Sequence, residues 1–363
     1  MDLQLEPLSA QRLEQAKWAY TTRRINRNQP MQLLCGDLCP QAGDLLLARV
    51  EKLGHHRRLE LVSSRRASLF QGDEIVVAYG NRYAPDQFEG IVPEHLGACR
   101  LIAAGGVAAR LLNSHDRVKS ATRITPLGLL ADQDNHRINL SRSRLPKAEL
   151  VEGTPLVLVV AGTSMNSGKT TTCANLVRGL VRQKIKVAAA KFTGTGAGAD
   201  YRSLVDAGAS PVFDFIDAGY VSTYRANREV LLDIVMTLGA EMSASRPDVI
   251  IIEVADGLLQ RETALLFSTQ AFTDWVDGVI FAANDALGAL AGVSWLNARQ
   301  LPVFAITGVL TSSPLAQREA EDICGLPVYH TEALARPSVS SYVYNCLKFR
   351  RQNRRAVANE KPG

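Results

Sequence analysis

Long hydrophobic runs are missing from this chain. No apolar stretch approaches the roughly 20 residues a membrane-spanning helix requires, which excludes a membrane partner of that kind. The stretch from Met1 to Pro7 lacks the basic and then apolar segments of a secretory leader. Cysteine is scarce, with six in 363 residues, scattered at Cys35, Cys39, Cys99, Cys173, Cys324 and Cys346. Such scatter argues against a disulfide framework. Cys35 and Cys39 are spaced like two metal ligands. No second pair and no nearby histidine completes a four-ligand site, so they read as buried or idle thiols. Aromatic residues make up 6% and do not interleave with a basic stripe, which argues against a nucleic acid partner. Internal repeats and low-complexity tracts are also lacking. These absences lead us to expect a cytoplasmic globular protein.

What is present fits that class. Hydrophobic residues at 46% and charged residues at 21% are ordinary for a folded chain. Lys and Arg number 41 against 36 Asp and Glu, a net charge of +5 that suits a small anionic ligand. The length leaves room for two or three domains.

Residues 1–150 read as a smaller, mainly β domain. The first 30 residues carry a helical pattern through Leu13, Ala16, Trp18 and Tyr20, then turn basic at Arg23, Arg24 and Arg27. From about 43 to 93, short apolar runs alternate with Gly-Asp turns: Leu45–Val50, Arg58–Val62 and Ile75–Tyr79. That rhythm predicts an antiparallel sheet or barrel. His55 and His56, followed by Arg57 and Arg58, read as a solvated hairpin turn. The segment Tyr79–Phe88 is rich in turn formers, either a binding loop or a loop locked by its own hydrogen bonds. Gly105 and Gly106 suit a tight turn. Thr125-Pro-Leu-Gly128 and Asp132–His136 read as turns between strands, and 141–155 as a linker.

From 151 to 345 the pattern changes to strand and helix in alternation. Apolar runs at Leu156–Ala161, Val187–Ala190, Val212–Phe215, Val249–Ile252, Gly278–Ala282 and Val303–Thr307 are separated by helical stretches. Continuous apolar strands between helices predict an α/β domain, a parallel sheet covered on both faces. Such sheets bind ligands beyond the carboxyl ends of their strands. Lys191, Asp200, Glu253 and Asn284-Asp285 all lie at or just past such ends. The basic stretch 346–363, with Lys348, Arg350, Arg351, Arg354 and Arg355, reads as a solvated tail.

The chemistry concentrates after the first of these strands. Gly162-Thr-Ser-Met-Asn-Ser-Gly-Lys-Thr170 joins a buried strand to a helix start, the setting of a phosphate-binding P-loop. The first glycine stands one place early, at Gly162 in place of Thr163. Backbone N–H groups from Thr163, Asn166, Ser167, Gly168 and Thr171 would cradle phosphate oxygens, with Lys169 reaching the outer phosphates. Thr170 would ligate Mg²⁺. Glu253 is a second Mg²⁺ candidate and can equally be a helix cap. Asp200 is a third. Lys191 could hold a substrate carboxylate or a transferred phosphoryl group, or be a surface lysine. Asp214 and Asp217 are further acidic candidates.

Those residues carry two family resemblances over roughly 156–310. The loop resembles that of dethiobiotin synthetase and the cobyrinic acid a,c-diamide synthases, Gly162 matching the early glycine. Lys191-Phe-Thr-Gly-Thr-Gly196 and Glu253-Val-Ala-Asp-Gly-Leu-Leu259 resemble that family's segments after the second and fourth strands. The resemblance implies ATP with Mg²⁺ held by Thr170, Asp200 and Glu253, and Lys169 and Lys191 facing the γ-phosphate and substrate. It also implies activation of a carboxylate by phosphoryl transfer and a homodimer. A second resemblance is to the P-loop family that includes D-glutamate N-acetyltransferases, through Thr193-Gly-Thr-Gly196, Asp214-Phe-Ile-Asp-Ala-Gly219 and Glu253–Gly257. It implies acyl transfer from acyl-coenzyme A and a substrate role for Thr193, Gly194, Thr195 and Asp214. Both families carry Asp where this chain has Ser164.

The expected function is an ATP- and Mg²⁺-dependent enzyme, ligase-like or kinase-like, with Lys169, Lys191 and Glu253 at the chemistry. Acyl transfer on a P-loop fold is the alternative. A regulatory nucleoside triphosphatase or metal-insertion chaperone is the third reading; it would favour an N-K-x-D motif, and Asn284-Asp285 lacks the Lys.

Overall fold

The computed structural model describes residues 4–147 and 155–359. Residues 148–154 of the expected linker and 360–363 of the expected tail lie outside them. The chain divides into two units. The first runs up to Pro146 and also takes in Gly194–Ala199 and Phe215–Arg225. The second holds Lys147–Thr193, Asp200–Asp214 and Ala226 onward. The two inserted segments had been read as wholly part of the α/β domain.

The first unit is built on strands β1 (Gln4–Pro7), β2 (Lys17–Trp18), β3 (Gln32–Cys35), β4 (Leu45–Lys52), β5 (Arg58–Glu60), β6 (Arg66–Ser68), β7 (Glu74–Tyr79), β8 (Phe88–Ile91), β9 (Cys99–Ala103), β10 (Val107–Ser114) and β11 (Thr122–Ala131). β11 pairs β4, β4 pairs β7, β7 pairs β10, β10 pairs β9, and β9 returns to β11. The pairing therefore closes on itself as a barrel, mostly antiparallel, with β7 and β10 parallel. Closure leaves those strands no free edge. Leu45 and Leu47 enter one buried cluster and Leu46 and Ala48 another, so both faces of β4 are covered. That is why the run Leu45–Ala48 is apolar throughout rather than alternating.

Four local readings change in this unit. Among the described residues of the first 30, α-helix is confined to Ala10–Gln15 (α1), with a 3-10 turn at Tyr20–Thr22; Lys17–Trp18 is strand instead, paired beside Ile75 and Val76 of β7. Thr125–Gly128 is no turn: β11 runs through it, and the register shift between Pro126 and Gly128 accommodates the proline that cannot donate to the ladder. The Tyr79–Phe88 loop is held by its own bonds, Arg82 Nη2 donating to Gln87 Oε1 at 2.9 Å. His56 is not solvated. Its ring is buried against Phe88, with Nε2 2.9 Å from the Ile102 carbonyl oxygen.

In the second unit six strands follow: β12 (Leu156–Gly162), β13 (Val187–Lys191), β14 (Val212–Asp214), β15 (Val249–Glu253), β16 (Gly278–Ala282) and β17 (Val303–Thr307). All pair in parallel in the order β14-β13-β15-β12-β16-β17. The helices are α2 (Lys169–Val181), α3 (Gly198–Ala207), α4 (Arg228–Ala244), α5 (Arg261–Leu266), α6 (Gln270–Trp275), α7 (Ala286–Asn297), α8 (Pro314–Cys324) and α9 (Pro337–Asn359). The crossover leaving β12 travels to one side of the sheet and that leaving β15 to the other. Their divergence opens a crevice at the carboxyl ends of the two central strands. The expected helix near 262–269 is two short ones, α5 and α6.

The expected basic tail is helix. α9 continues to Asn359, packs against α2 and β12, and buries Val343 and Leu347. Its Arg351 donates from Nε to Asp277 Oδ1 at 2.7 Å and from Nη2 to Oδ2 at 2.5 Å. Asp277 has no exposed surface and its Oδ2 also accepts from Val157 N at 2.8 Å. The guanidinium thus neutralises a buried carboxylate at the start of the P-loop strand.

Two tests follow from these environments. Arg351→Ala leaves Asp277 buried without its main partner and should cost about 3 kcal/mol, read as a fall in the urea midpoint; no change would make α9 a surface appendage. Burial first, then Arg82, pushes the His56 pKa down to about 3. The unfolded chain takes up a proton on this ring near pH 6.5 and the folded chain only near pH 3. Stability from this group is therefore full above pH 6.5 and falls as the pH drops through that window, by at most about 5 kcal/mol. His56→Gln should flatten that slope in unfolding experiments between pH 7 and 4.

Candidate functional site

The P-loop is fixed by what surrounds its glycines. β12 ends at Gly162, where an added Cβ would stand 2.3 Å from Ser167 Oγ and 2.7 Å from the Ala282 carbonyl oxygen. Only glycine lets the strand end, the loop and β16 approach so closely, which accounts for a glycine at 162 rather than 163. Asn166 and Gly168 have φ of 62° and 100°, the left-handed region that asparagine and glycine tolerate best. Gly308 braces the loop from the end of β17: Val309 N donates to Ser167 O at 3.1 Å, and a Cβ on Gly308 would meet that same oxygen at 2.5 Å. Neither Gly308 nor its bracing role was legible in the motif.

α2 then starts at Lys169 with Gly168 as N-cap, and no side chain caps it. Its first-turn N–H groups are oriented for an anion. The Lys169 side chain is buried and folds back, Nζ donating to Ser164 O at 2.6 Å with Ser167 Oγ at 3.5 Å. Burial lowers its pKa, against the pull of Glu253 and Asp256. Ser164, standing where the resembled families carry Asp, accepts from Asn284 Nδ2 at 2.9 Å through its hydroxyl. Asp285 is spent on its own helix, accepting from Gly288 N at 2.6 Å.

Parallel register brings the charged ends together. Lys191 lies beside Glu253, and Glu253 beside Val160 of the P-loop strand. Lys191 Nζ donates to Asp200 Oδ2 and lies 3.5 Å from Glu253 Oε1. Thr170 Oγ1 lies 3.2 Å from Asp200 Oδ1 and 3.0 Å from Glu253 Oε1. These groups line a cleft of ≈ 370 Å³ together with Asn166, Gly168, Lys169, Thr171 and Asp256. Asp256 was quoted in the sequence motif without a role. Its position three residues past Glu253, in a loop rather than a strand, is the signal that could have found it.

The electrostatics are unbalanced. Three carboxylates, Asp200, Glu253 and Asp256, face two ammonium groups, Lys169 and Lys191. Burial would lower the Lys191 pKa, but Asp200 and Glu253 outweigh it and hold it above its ordinary value. Burial would raise Asp200, yet Lys191 keeps it below the usual carboxylate range. Burial pushes Glu253 above that range despite Lys191. Glu253 is 2% exposed, and its Oε2 is buried with no hydrogen-bond partner. The Thr170 hydroxyl has one proton for two carboxylates. One of them therefore needs a proton or a cation. An all-oxygen donor set of one hydroxyl and two carboxylates fits Mg²⁺.

Other expected site residues are elsewhere. Thr193 is buried and donates its hydroxyl to Ala255 O. Gly194 and Thr195 group with the first unit, where Gly194 N donates to Thr223 Oγ1 at 2.9 Å and Thr195 bridges Ser222. Asp214 pairs in register with Lys191 but is buried outside the cleft lining. Asp217 belongs to the first unit and binds Arg23 and Arg24 there. Thr163 is placed by its N–H on Ala282 O at 3.0 Å, and its hydroxyl is buried without a partner.

No family model and no curated protein matches this chain. Among solved structures it is similar to the signal recognition particle 54 kDa protein of Aeropyrum pernix K1 in complex with GDP, at 19% identity over 57% of this chain and 51% of that one, TM-score 0.36. It is also similar to the signal recognition particle receptor FtsY of Elizabethkingia anophelis, at 18% identity over 55% and 68%, TM-score 0.34. The cell division protein FtsY of Thermotoga maritima gives 18% over 55% and 71%, TM-score 0.35. The chain thus spans 51% of the first of these relatives. At such scores the likeness is shallow, and the site stands on its own geometry.

Glu253 gives the site a pH signature. A cation must displace the proton that burial favours on this carboxyl. Cation affinity should therefore fall as the pH drops through the raised pKa of Glu253, above the ordinary carboxylate value. Glu253→Gln should weaken Mg²⁺ binding by at least about tenfold and remove that pH dependence. A Mg²⁺ titration of nucleotide binding at several pH values checks both, and an unmoved titration makes Glu253 structural.

Proposed function

We propose that the second unit is an ATP- and Mg²⁺-dependent enzyme unit that activates a small carboxylate-bearing molecule by phosphoryl transfer, as a ligase or a kinase does. One observation carries this reading: the Thr170 hydroxyl stands within hydrogen-bond distance of two buried carboxylates, next to Lys169 at an uncapped helix start. A phosphate cradle and a hard-cation donor set thus share one residue pair.

The residues divide the work as follows. N–H groups from Asn166 to Thr171 hold phosphate oxygens, and the helix start favours their charge. Lys169 exchanges the neutral carbonyl of Ser164 for a phosphate oxygen, a charge-assisted and stronger bond. Mg²⁺ on Thr170, Asp200 and Glu253 supplies neutralisation of charge on the transferring phosphoryl group. Lys191, shared by Asp200 and Glu253, would hold the substrate carboxylate with its ammonium. Substrate contact in this reading rests on Lys191 and not on Thr193, Gly194, Thr195 or Asp214. The preference for adenine over guanine rests on Asn284 and Asp285. They lack the N-K-x-D lysine, and both side chains are engaged, one on Ser164 and one on α7. A small anionic substrate, a homodimer and a cytoplasmic setting complete the proposal.

Lys169→Ala tests it. The variant should fold, because among the described residues the side chain hydrogen-bonds only to Ser164 and Ser167 of the loop, and lose roughly 10²-fold or more in ATP turnover. ADP release and a Mg²⁺-dependent thermal shift with ATP are the readouts. Unchanged turnover sinks the assignment. In the wild type, a shift with acetyl-coenzyme A alone would replace phosphoryl transfer by acyl transfer.

A further inference from the structure

A second cavity of the α/β unit, ≈ 560 Å³ in volume, shares no residue with the phosphate cleft. It is walled by α6, by the loop that follows α7 and by the last turns of α9. α6 leads within a few residues into β16, and the loop after α7 leads into β17. All strands of a parallel sheet start on one edge. The cavity therefore lies at the amino ends of β16 and β17, on the edge opposite the P-loop. Its lining is mostly polar. Ser268, Thr273, Gln270 and Gln300 bring hydroxyls and amides, and Arg299 and Arg354 bring guanidinium groups.

Both arginines are half-buried and held by neutral acceptors. Arg299 stands over the Trp295 ring, 3.4 Å from its centroid, and its Nη1 donates to Trp295 O at 3.0 Å. Phe267 braces that ring edge-on, with centroids 5.9 Å apart. Arg354 Nη1 donates to Asp274 O at 3.1 Å and to Val276 O at 2.9 Å. A guanidinium carries five N–H groups, so these bonds fix each side chain and use few of its donors. Among the described residues neither arginine hydrogen-bonds a carboxylate. The carboxylate that comes within ion-pair distance of Arg354, Asp277, is 4.0 Å away and already occupied by Arg351. Asp274, the one carboxylate in the lining, accepts from Gln270 Nε2 at 2.6 Å. Burial, and then Arg350 nearby, hold the Arg354 pKa below its ordinary value. The cavity is short of negative charge.

We infer that this cavity is a binding site for a small polar molecule carrying a phosphate group, held between Arg299 and Arg354. Guanidinium forks bind carboxylate and phosphate in the same paired fashion. A carboxylate has two oxygens and is satisfied by one fork, whereas a phosphate ester offers three and can engage two forks that come from separate elements. The hydroxyls and amides around them both donate and accept, which suits hydroxyl groups on the body of the ligand. The volume exceeds what a bare phosphate fills and falls among small-molecule sites, roughly 300–1,000 Å³. The site needs neither Mg²⁺ nor nucleotide and stands whether or not the proposed function does.

The experiment uses the full chain in the presence of a chelator, with glucose 6-phosphate as the probe and glucose and citrate as controls. Amide hydrogen exchange locates the binding, and calorimetry gives the Kd. Glucose 6-phosphate should slow exchange over residues 268–275 and 298–301, and glucose should not. Arg299→Ala removes one fork and should raise the Kd at least about tenfold. Gln300→Glu adds a negative charge to an exposed side chain of the lining and should raise it by a similar factor. Lys169→Ala should leave the Kd unchanged, which separates this site from the P-loop. Should Arg299→Ala fail to fold, Gln300→Glu carries the test. Three results would overturn the inference. They are protection confined to residues 162–171, no protection at all, or a Kd that neither substitution in the cavity moves. Citrate binding here more tightly than glucose 6-phosphate would overturn the phosphate assignment in favour of a polycarboxylate.

Discussion

Glu253 is a carboxylate held almost wholly out of water, and the candidate site is arranged around that fact. Removing an ionised carboxylate from water costs several kcal/mol unless partners replace the lost hydration. Thr170 and Lys191 replace part of it on one oxygen, and the other oxygen has no hydrogen bond. Asp200 and Asp256 add like charge nearby. A cluster with this excess of negative charge favours a proton or a cation over emptiness. The same excess would repel phosphates unless a proton or a cation offsets it beside the anion cradle at the start of α2. The two halves of the site thus depend on each other through one charge.

The sheet order is what makes this concentration possible. In a parallel sheet every strand ends on the same side, so residues at strand ends from distant parts of the sequence share one edge. β12 occupies the centre, and β15 lies between it and β13. Lys191, Glu253 and Val160 consequently share one row across the sheet. β16 and β17 complete the other flank, and from their ends Asn284 and Gly308 tie down the P-loop through Ser164 and Ser167. The loop is short and small-residue rich because its neighbours leave it no room.

Which parts were legible in the sequence follows from the range of the interactions involved. The strands of the second unit were read nearly to the residue, because a strand buried on both faces is an uninterrupted apolar run, and β13, β14 and β15 each end on a charge. Gly168, Lys169 and Thr170 were read because a phosphate cradle is made by consecutive residues. What could not be read are properties set by distant partners. His56 beside His55, Arg57 and Arg58 looks solvated, and only the return of β8 with Phe88 buries it. Arg351 looks like one more charge on a basic tail until Asp277, 74 residues earlier, is placed against it. Thr193 and Asp214 sit in motifs that resemble those of a known family and yet lie outside the cleft lining. Gly194–Ala199 carries no compositional mark of grouping with the barrel, because its anchors at Gly105, Tyr20 and Glu60 are all remote in sequence.

The same charge argument separates the two enzyme readings. A P-loop that only held a coenzyme A phosphate would require N–H donors and a lysine, both of which are here. It would have no use for Thr170 between two carboxylates, and those carboxylates would weaken an anion held without a cation by placing like charge a few ångströms away. The proposed phosphoryl transfer would use that set, whose oxygens suit a hard cation. The replacement of Asp by Ser164 points the same way. A fourth carboxylate at the loop would deepen the excess, whereas the Ser164 hydroxyl accepts from Asn284 and its carbonyl accepts from Lys169. In the proposed reading the carboxylates already present would serve one divalent ion, and Lys169, the lysine that would reach the phosphate, rests on the neutral Ser164 carbonyl, an acceptor it can give up.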